Sequence, residues 1–271
     1  MNKILINLFC LTALLGAFAL CPSAADVAVA EAPGDVPAQL SGDGNEEQIS
    51  ALIKLKNKYP HVFIVQGPVH EKKVALTFDD APDPRFTGKI LDVLKTHQVR
   101  ATFFVIGSRS QQHPELIRRM ARENHVIGNH SYSHAHLLKL GMQDYVRQIT
   151  ATQQIIKQLI GYEPKLLRPP YGDINEEQLL WAAENRFLVV NWNVDSLDWK
   201  SLRSEEVMNN VINDVRPGSI ILQHAGGGES ENLSGTIEAL PKIIAYLRKQ
   251  GYQFVTVPEL LQVPMYKMNE E

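Results

Sequence analysis

The chain has 271 residues, 44 % of them hydrophobic and 21 % charged, with 27 Lys+Arg against 30 Asp+Glu and a formal net charge of −3. The balance is acidic and no long basic run is present, which argues against a polyanion-binding surface and predicts no nucleic-acid partner. Cys10 and Cys21 are the only cysteines and both fall in the first 25 residues, so cysteine-ligated zinc, a thiol nucleophile and a disulfide framework are excluded from the rest of the chain.

Residues 1–25 read as an export signal peptide: Lys3 supplies the positive start, 4–20 a mostly apolar core, and Ser23-Ala24-Ala25 a small-residue cleavage site. Cleavage is expected after Ala25, with Ala28-Val29-Ala30 as a second candidate. The apolar core is short for a spanning helix, so membrane contact is expected only if this segment stays uncleaved. Leu20 ahead of Cys21 is too large for a lipoprotein cleavage site. The expected location is therefore secreted or associated with the cell envelope. Residues 26–60 read as a tether over 26–48, rich in Ala, Pro, Gly and Asp, followed by a short helix over 49–59 on the spacing of Ile49, Leu52 and Ile53. A strand is expected over 61–66, before Gly67-Pro68 turns the chain.

From about residue 70 a single pattern repeats, in which short apolar runs alternate with helical stretches. The runs are 74–78, 101–106, 125–129, 165–168, 187–191, 219–223 and 253–257. Helical periodicity fills 87–97, 114–123, 143–160, 175–185, 204–214 and 236–250. Runs apolar on both faces and joined by helices predict a parallel sheet. The expectation is an α/β fold, a distorted (β/α) barrel of about seven parallel strands, forming a single catalytic domain over 61–264 with a polar tail at 265–271. An open doubly wound sheet is the competitor. It loses weight because no Gly-x-Gly-x-x-Gly or phosphate-binding glycine-lysine loop follows the first strand.

The chemistry-bearing residues cluster by position. Asp79 and Asp80 end the first run, His130 and His134 follow the third, and Arg168 ends the fourth. Asp195 and Asp198 follow the fifth, and His224 follows the sixth. All sit at or just past strand C-termini, which a parallel barrel gathers on one face. The four-residue spacing of His130 and His134 would put both imidazoles on one side of a helical turn. Two histidines and one carboxylate leave open positions on a divalent cation, the arrangement of a catalytic site. Either Asp79 or Asp80 would supply the carboxylate, and the other is then free to take a proton from an activated water. Arg168-Pro169-Pro170-Tyr171-Gly172 is stiff at its prolines, and its Arg could grip a carboxylate bidentately.

Thr77-Phe78-Asp79-Asp80, His130-Ser131-Tyr132-Ser133-His134, Arg168-Pro169-Pro170-Tyr171-Gly172, Asp195-Ser196-Leu197-Asp198-Trp199 and Leu222-Gln223-His224 resemble, in order, the five motifs of the polysaccharide deacetylases. This is the NodB-homology family, also called carbohydrate esterase family 4, and the resemblance covers about residues 70–260. It implies hydrolysis of N-acetyl groups from an N-acetylglucosamine-containing polysaccharide, with peptidoglycan or a chitin-type glycan as partner. It implies a divalent cation held by Asp80, His130 and His134, zinc first, with cobalt, nickel or manganese as alternatives. It makes Asp79 the general base, paired with Arg168, and His224 the general acid, tuned by Asp198. The Tyr171 N–H would bind the oxyanion, while Trp199 and Leu222 would line the acetyl-methyl pocket.

Two other readings compete. A non-catalytic glycan-binding envelope protein would show a broken constellation, and no group is missing. A non-haem iron oxygenase would leave Asp79, Arg168 and His224 without a common purpose. One departure stands out: Ala81 occupies the position after the Asp pair where the family pattern has glycine, so the turn is expected to differ. Asp195 is read as a structural hydrogen-bonding residue, and Trp181 and Trp192 as core. Histidines outside the motifs, His125 and His136 among them, are read mostly as surface or loop residues. Gly226-Gly227-Gly228 is read as a flexible loop.

Overall fold

The computed structural model describes residues 46–267, so the expected signal peptide, the tether up to residue 45 and the last four residues of the tail lie outside the described residues. The described part opens with α1 (Glu46–Lys58). Glu46 and Glu47 in its first turn and Lys56 and Lys58 in its last complement the helix dipole, and Leu52 and Leu55 are its buried contacts. There follow β1 (Phe63–Ile64), β2 (Lys73–Ala81), α2 (Thr87–Thr96), β3 (Thr102–Val105), α3 (Gly107–Gln112), α4 (Pro114–Arg122) and β4 (Val126–Asn129). The second half continues with α5 (Met142–Ile160), β5 (Leu166–Leu167), α6 (Glu176–Glu184), β6 (Leu188–Val190), β7 (Val194–Asp195) and α7 (Ser204–Asp214). It ends with β8 (Ile220–His224), α8 (Ser234–Lys249), β9 (Gln253–Phe254) and α9 (Val257–Leu261). Among the described residues no helix is long and apolar enough to cross a membrane.

The strands pair in the order β1-β6-β5-β4-β3-β2-β8-β7, every neighbour parallel, with β9 added alongside the start of β2. This curled parallel sheet is the distorted barrel that the sequence predicts. Two-residue β7 was not expected, and neither were α3 and α9.

The strand β2 shows why the sheet is covered on both faces. Val74, Leu76 and Phe78 point outward into a core cluster shared with α2, α7 and α8, whereas Ala75 points inward to Phe104, Leu166, Leu188 and Ile220 of four other strands. Val257 and Leu260 of α9 join that inner cluster. Thr77 and Asp79 continue the inward row of β2, so the apolar interior becomes polar toward the strand C-termini. Both are buried.

A register shift against β3 falls between Phe78 and Ala81: Phe78 faces Phe103, yet Ala81 faces Val105. The extra residue is a β-bulge, and Asp80 within it adopts φ 64°. Two adjacent carboxylates that a regular strand would send to opposite faces are thereby both turned toward the barrel mouth. The left-handed residue is Asp80, and Ala81 stays in the strand with negative φ, so the missing glycine leaves no strain there.

Candidate active site

On the inner wall, Asp79 of β2 lies directly across the ladder from His224 of β8, and Leu222 lies across from Asp195 of β7. Asp79 Oδ1 accepts a hydrogen bond of 2.8 Å from Arg168 Nη1. The Arg168 side chain is fully buried, and its grip on Asp79 is not the expected bidentate fork. Nη1 also donates to Thr77 Oγ1 (2.8 Å), Nε to the Val190 carbonyl (2.9 Å) and Nη2 to the Asn191 carbonyl (3.1 Å), so strand ends compete for the donors. The guanidinium stacks 4.1 Å from the Phe104 ring centroid. Burial pushes the Asp79 carboxyl above its usual range, and the charge of Arg168 opposes that rise. Asp79 is thus a stronger base than a surface carboxylate, with a cation beside it favouring the ionised form.

Arg168→Met should break this network, leaving a buried carboxylate and the Val190 and Asn191 carbonyls without this donor. A loss of about 3–5 kcal/mol is expected, read as a fall of about 10 °C in melting temperature for a domain of this size. Arg168→Lys should restore little, since an ammonium cannot span four acceptors in one plane.

His130 is buried, and its Nδ1 lies 2.7 Å from the Arg168 carbonyl. A carbonyl only accepts, so Nδ1 carries the proton and Nε2 presents its lone pair to the cleft. That Nε2 is 3.5 Å from Asp80 Oδ1, and His134 Nε2 is 3.2 Å from the same oxygen. Burial first, with the neighbouring His134 adding to it, drives His130 down to about 3, so its imidazole is neutral.

The expected helical turn between the two histidines is absent. Residues 130–134 form a loop in which Ser131 (φ 65°) and His134 (φ 58°) are left-handed. The Oε1 of Gln148, on α5, accepts from the N–H groups of Tyr132 and Ser133, and Ser131 Oγ accepts from the His134 N–H. These bonds bring the rings together, centroids 5.1 Å apart, by a route that the four-residue spacing does not describe.

One ligand atom each from Asp80, His130 and His134 lies within 4.8 Å of the others. Asp80 Oδ1 is a buried oxygen with no hydrogen-bond partner among the described residues, and a neutral imidazole nitrogen faces it. An orphaned anionic acceptor beside two imidazole nitrogens fits a divalent cation in both charge and donor set. The Arg168 carbonyl behind His130 is the outer partner that such a ligand needs.

Across the cleft, His224 Nδ1 lies 2.7 Å from Asp198 Oδ1, so an N–H there donates to the carboxylate. Asp198 Oδ2 accepts from the His224 backbone N–H (2.9 Å) and from Thr236 Oγ1 (2.8 Å). Burial alone would depress His224, but the charge of Asp198 and its hydrogen bond outweigh it and raise the imidazole to about 10. Its Nε2 therefore carries a proton at neutral pH. Asp195 is buried and pushed up to about 6 by that burial, partly offset by the Leu197 N–H that it accepts at 2.8 Å, in keeping with a structural hydrogen-bonding residue.

Trp199, Leu222 and Tyr171 line the same cleft. Tyr171 has φ 63°, and its ring meets His134 edge-on at 4.9 Å and stacks on His136 at 5.2 Å. Burial first, then the negative charges of Asp80 and Glu231, hold the Tyr171 phenol above its ordinary range.

Three neighbours escaped the sequence reading. Trp192 is core, as expected, but it also lines the cleft beside the Arg168 guanidinium. His136 bridges to buried Asp173 at 3.4 Å while stacking on Tyr171. Glu231 lines the cleft from the loop after β8. None belongs to a motif, and only the fold brings them in. The glycine loop is also tied down rather than free. Arg85 donates to the carbonyls of Gly227, Gly228 and Glu229, and Arg109 bridges the Asp80 and Gly227 carbonyls.

An acid and a base facing each other beside a carboxylate–imidazole group, at the strand ends of a curled α/β barrel, make a hydrolytic centre suited to amides. The polysaccharide deacetylase family model matches residues 66–190. The chain is 48 % identical over 205 residues to a peptidoglycan-N-acetylglucosamine deacetylase of Bacillus cereus, covering 76 % of this chain and 73 % of that protein. It is 40 % identical over 216 residues to the peptidoglycan-N-acetylmuramic acid deacetylase PdaC of Bacillus subtilis, covering 78 % of this chain and 44 % of PdaC. The crystal structure of the Bc1960 peptidoglycan N-acetylglucosamine deacetylase with a naphthalenyl hydroxamate-type ligand superposes with a TM-score of 0.76 at 45 % identity, covering 79 % of this chain and 99 % of that one. The chain belongs to the polysaccharide deacetylase family, an enzyme of the class that acts on amide bonds.

Proposed function

We propose that this protein is an exported, metal-dependent N-deacetylase that releases acetate from the N-acetylglucosamine units of a cell-envelope polysaccharide, either peptidoglycan or a chitin-type glycan. The observation that carries the reading is the opposition of Asp79 and His224 on adjacent strands, in one cleft with Asp80, His130 and His134. That arrangement supplies a base, an acid and a ligand group within reach of a single acetamide.

In this mechanism Asp79 takes a proton from the attacking water as the water oxygen bonds to the amide carbon. Its Oδ1 is held by Arg168, so the other oxygen faces the cleft, 3.7 Å from His130 Nε2. The N–H of Tyr171 donates to the developing oxyanion. His224 Nε2–H passes its proton to the amide nitrogen as the C–N bond breaks, which frees the amine and acetate, and Asp198 stabilises the imidazolium until then. Trp199 and Leu222 enclose the acetyl methyl. Asp80, His130 and His134 would hold a divalent cation, zinc by preference for an imidazole-rich set; bound there it supplies Lewis-acid polarisation and acidifies water. A non-catalytic glycan binder would not need an acid as finely tuned as His224 opposite a buried base.

The test is acetate release from chitopentaose and from purified peptidoglycan, with and without chelator and restored Zn²⁺. Acetate should appear, vanish on chelation by at least about 10²-fold and return with the ion. No acetate from either glycan in the metal-loaded protein would sink the proposal.

A further inference from the structure

Glu231 is a charged side chain of the cleft to which the reaction above gives no task. It lines the cleft with Asp80, His134, Tyr171 and Trp199, forms no direct ion pair among the described residues, and feels the Arg85 charge at longer range. Its loop is fixed by two arginines that donate to its backbone carbonyls, with Arg85 sharing its donors with the Asp83 carboxylate. Arg85, held by Asp83 at 2.7 Å, reaches three successive loop carbonyls, and Arg109 ties Gly227 to the backbone of Asp80 itself.

The glycines make this packing possible. A Cβ at Gly226 would lie 2.3 Å from the Asp80 carbonyl oxygen, and one at Gly227 would lie 2.1 Å from Glu231 Oε2. The Glu231 carboxylate is thus folded back over the bare backbone of Gly227, whose carbonyl Arg109 ties to that of Asp80. A carboxylate held in place, which no cation among the described residues contacts directly although the Arg85 charge reaches it, accepts hydrogen bonds from sugar hydroxyls and repels an acidic substituent, which is discrimination by repulsion as much as by attraction.

Building on the deacetylase reading, we propose that Glu231 is a specificity-determining residue that selects the amide of a neutral N-acetylhexosamine and rejects one whose sugar bears a free carboxylate, such as the 3-O-lactyl group of muramic acid. The acid–base pair and the ligand group treat both sugars alike, because the acetamide is the same. The difference between them lies in the substituent that Glu231 meets.

The experiment isolates charge from shape. Peptide-free glycan strands of alternating N-acetylglucosamine and N-acetylmuramic acid are offered to the Zn²⁺-loaded protein with their lactyl carboxylates free or converted to N-methylamides, beside chitotetraose. The sugar that loses acetyl is read by mass spectrometry. For acetyl loss at the muramic unit, the wild type should favour the methylamide strands by about tenfold in kcat/KM, and raising the salt to about 0.5 M should narrow that preference. Glu231→Gln should reduce the ratio to about twofold and remove its salt dependence, and Glu231→Lys should invert it.

A wild-type ratio near one, or a ratio that Glu231→Gln leaves unchanged, overturns the proposal, and so does a proportional loss on both strands. Activity on chitotetraose alone, in wild type and Glu231→Gln alike, overturns it too. No acetate from any of the three glycans would instead overturn the deacetylase reading on which it stands.

Discussion

Asp79→Asn is expected to lower kcat by about 10³-fold, within the range that a positioned general base contributes, while the bound metal stays near one equivalent. The substitution is close to isosteric, and an amide oxygen can still accept the 2.8 Å bond from Arg168 Nη1, so the buried arginine keeps its partners. What is lost is the capacity to take a proton. Asp80, rather than Asp79, forms the compact group with His130 and His134, so metal content should not follow activity. His130→Ala supplies the contrast, because it removes a lone pair aimed at Asp80 and should lose metal and turnover together. Metal content is measured after dialysis against buffer, and kcat on chitopentaose. An Asp79→Asn enzyme within about tenfold of wild type would move the base elsewhere. One that also lost its metal would make Asp79 a ligand.

The different surroundings of two adjacent aspartates, Asp79 gripped by Arg168 and Asp80 grouped with His130 and His134, show what the sequence could and could not disclose. That Val74 to Phe78 form a buried strand with two acids at its end is written in the apolar run, and the same holds for the other long strands and for α4, α5, α7 and α8. The gathering of Asp79, Asp80, His130, His134, Arg168, Asp198 and His224 follows from their shared position at strand ends once the sheet is parallel. The bulge that turns Asp79 and Asp80 into one cleft is not written there, since it depends on the register with β3 and on Asp80 accepting a left-handed backbone. Nor could spacing reveal that a loop braced by Gln148 brings His130 and His134 together. Two-residue β7 carries no periodicity to read. Glu231 and His136 reach the site only because distant loops converge, and the arginines that immobilise the glycine loop come from the segment after β2 and from α3.

Asp198→Asn should act on the other side of the reaction, through pH. In the wild type the imidazolium of His224 is favoured by the Asp198 charge and opposed by burial, and the charge prevails to give about 10. With the folded value raised above the ordinary one of about 6.5, the protonated acid persists across neutral pH. The corresponding stabilisation is fully present below about 6.5 and is lost as pH rises through about 10. Replacing the carboxylate by an amide deletes the largest raising causes and leaves burial opposed only by the charges of Asp80 and Asp79, so His224 should fall toward its ordinary value. The descending limb of kcat/KM should then move from the alkaline end toward about pH 6.5, costing roughly tenfold or more at pH 8 and much less at pH 6. The ascending limb, assigned to Asp79, should move much less, because Asp79 is gripped by Arg168 and not by Asp198, and the charge of His224 acts on it more weakly than that of Arg168. A pH profile from 5 to 11 on chitopentaose decides the matter. A uniform loss at every pH would mean that Asp198 only orients the ring, and an unmoved alkaline limb would mean that the group giving up its proton to the amine is not His224.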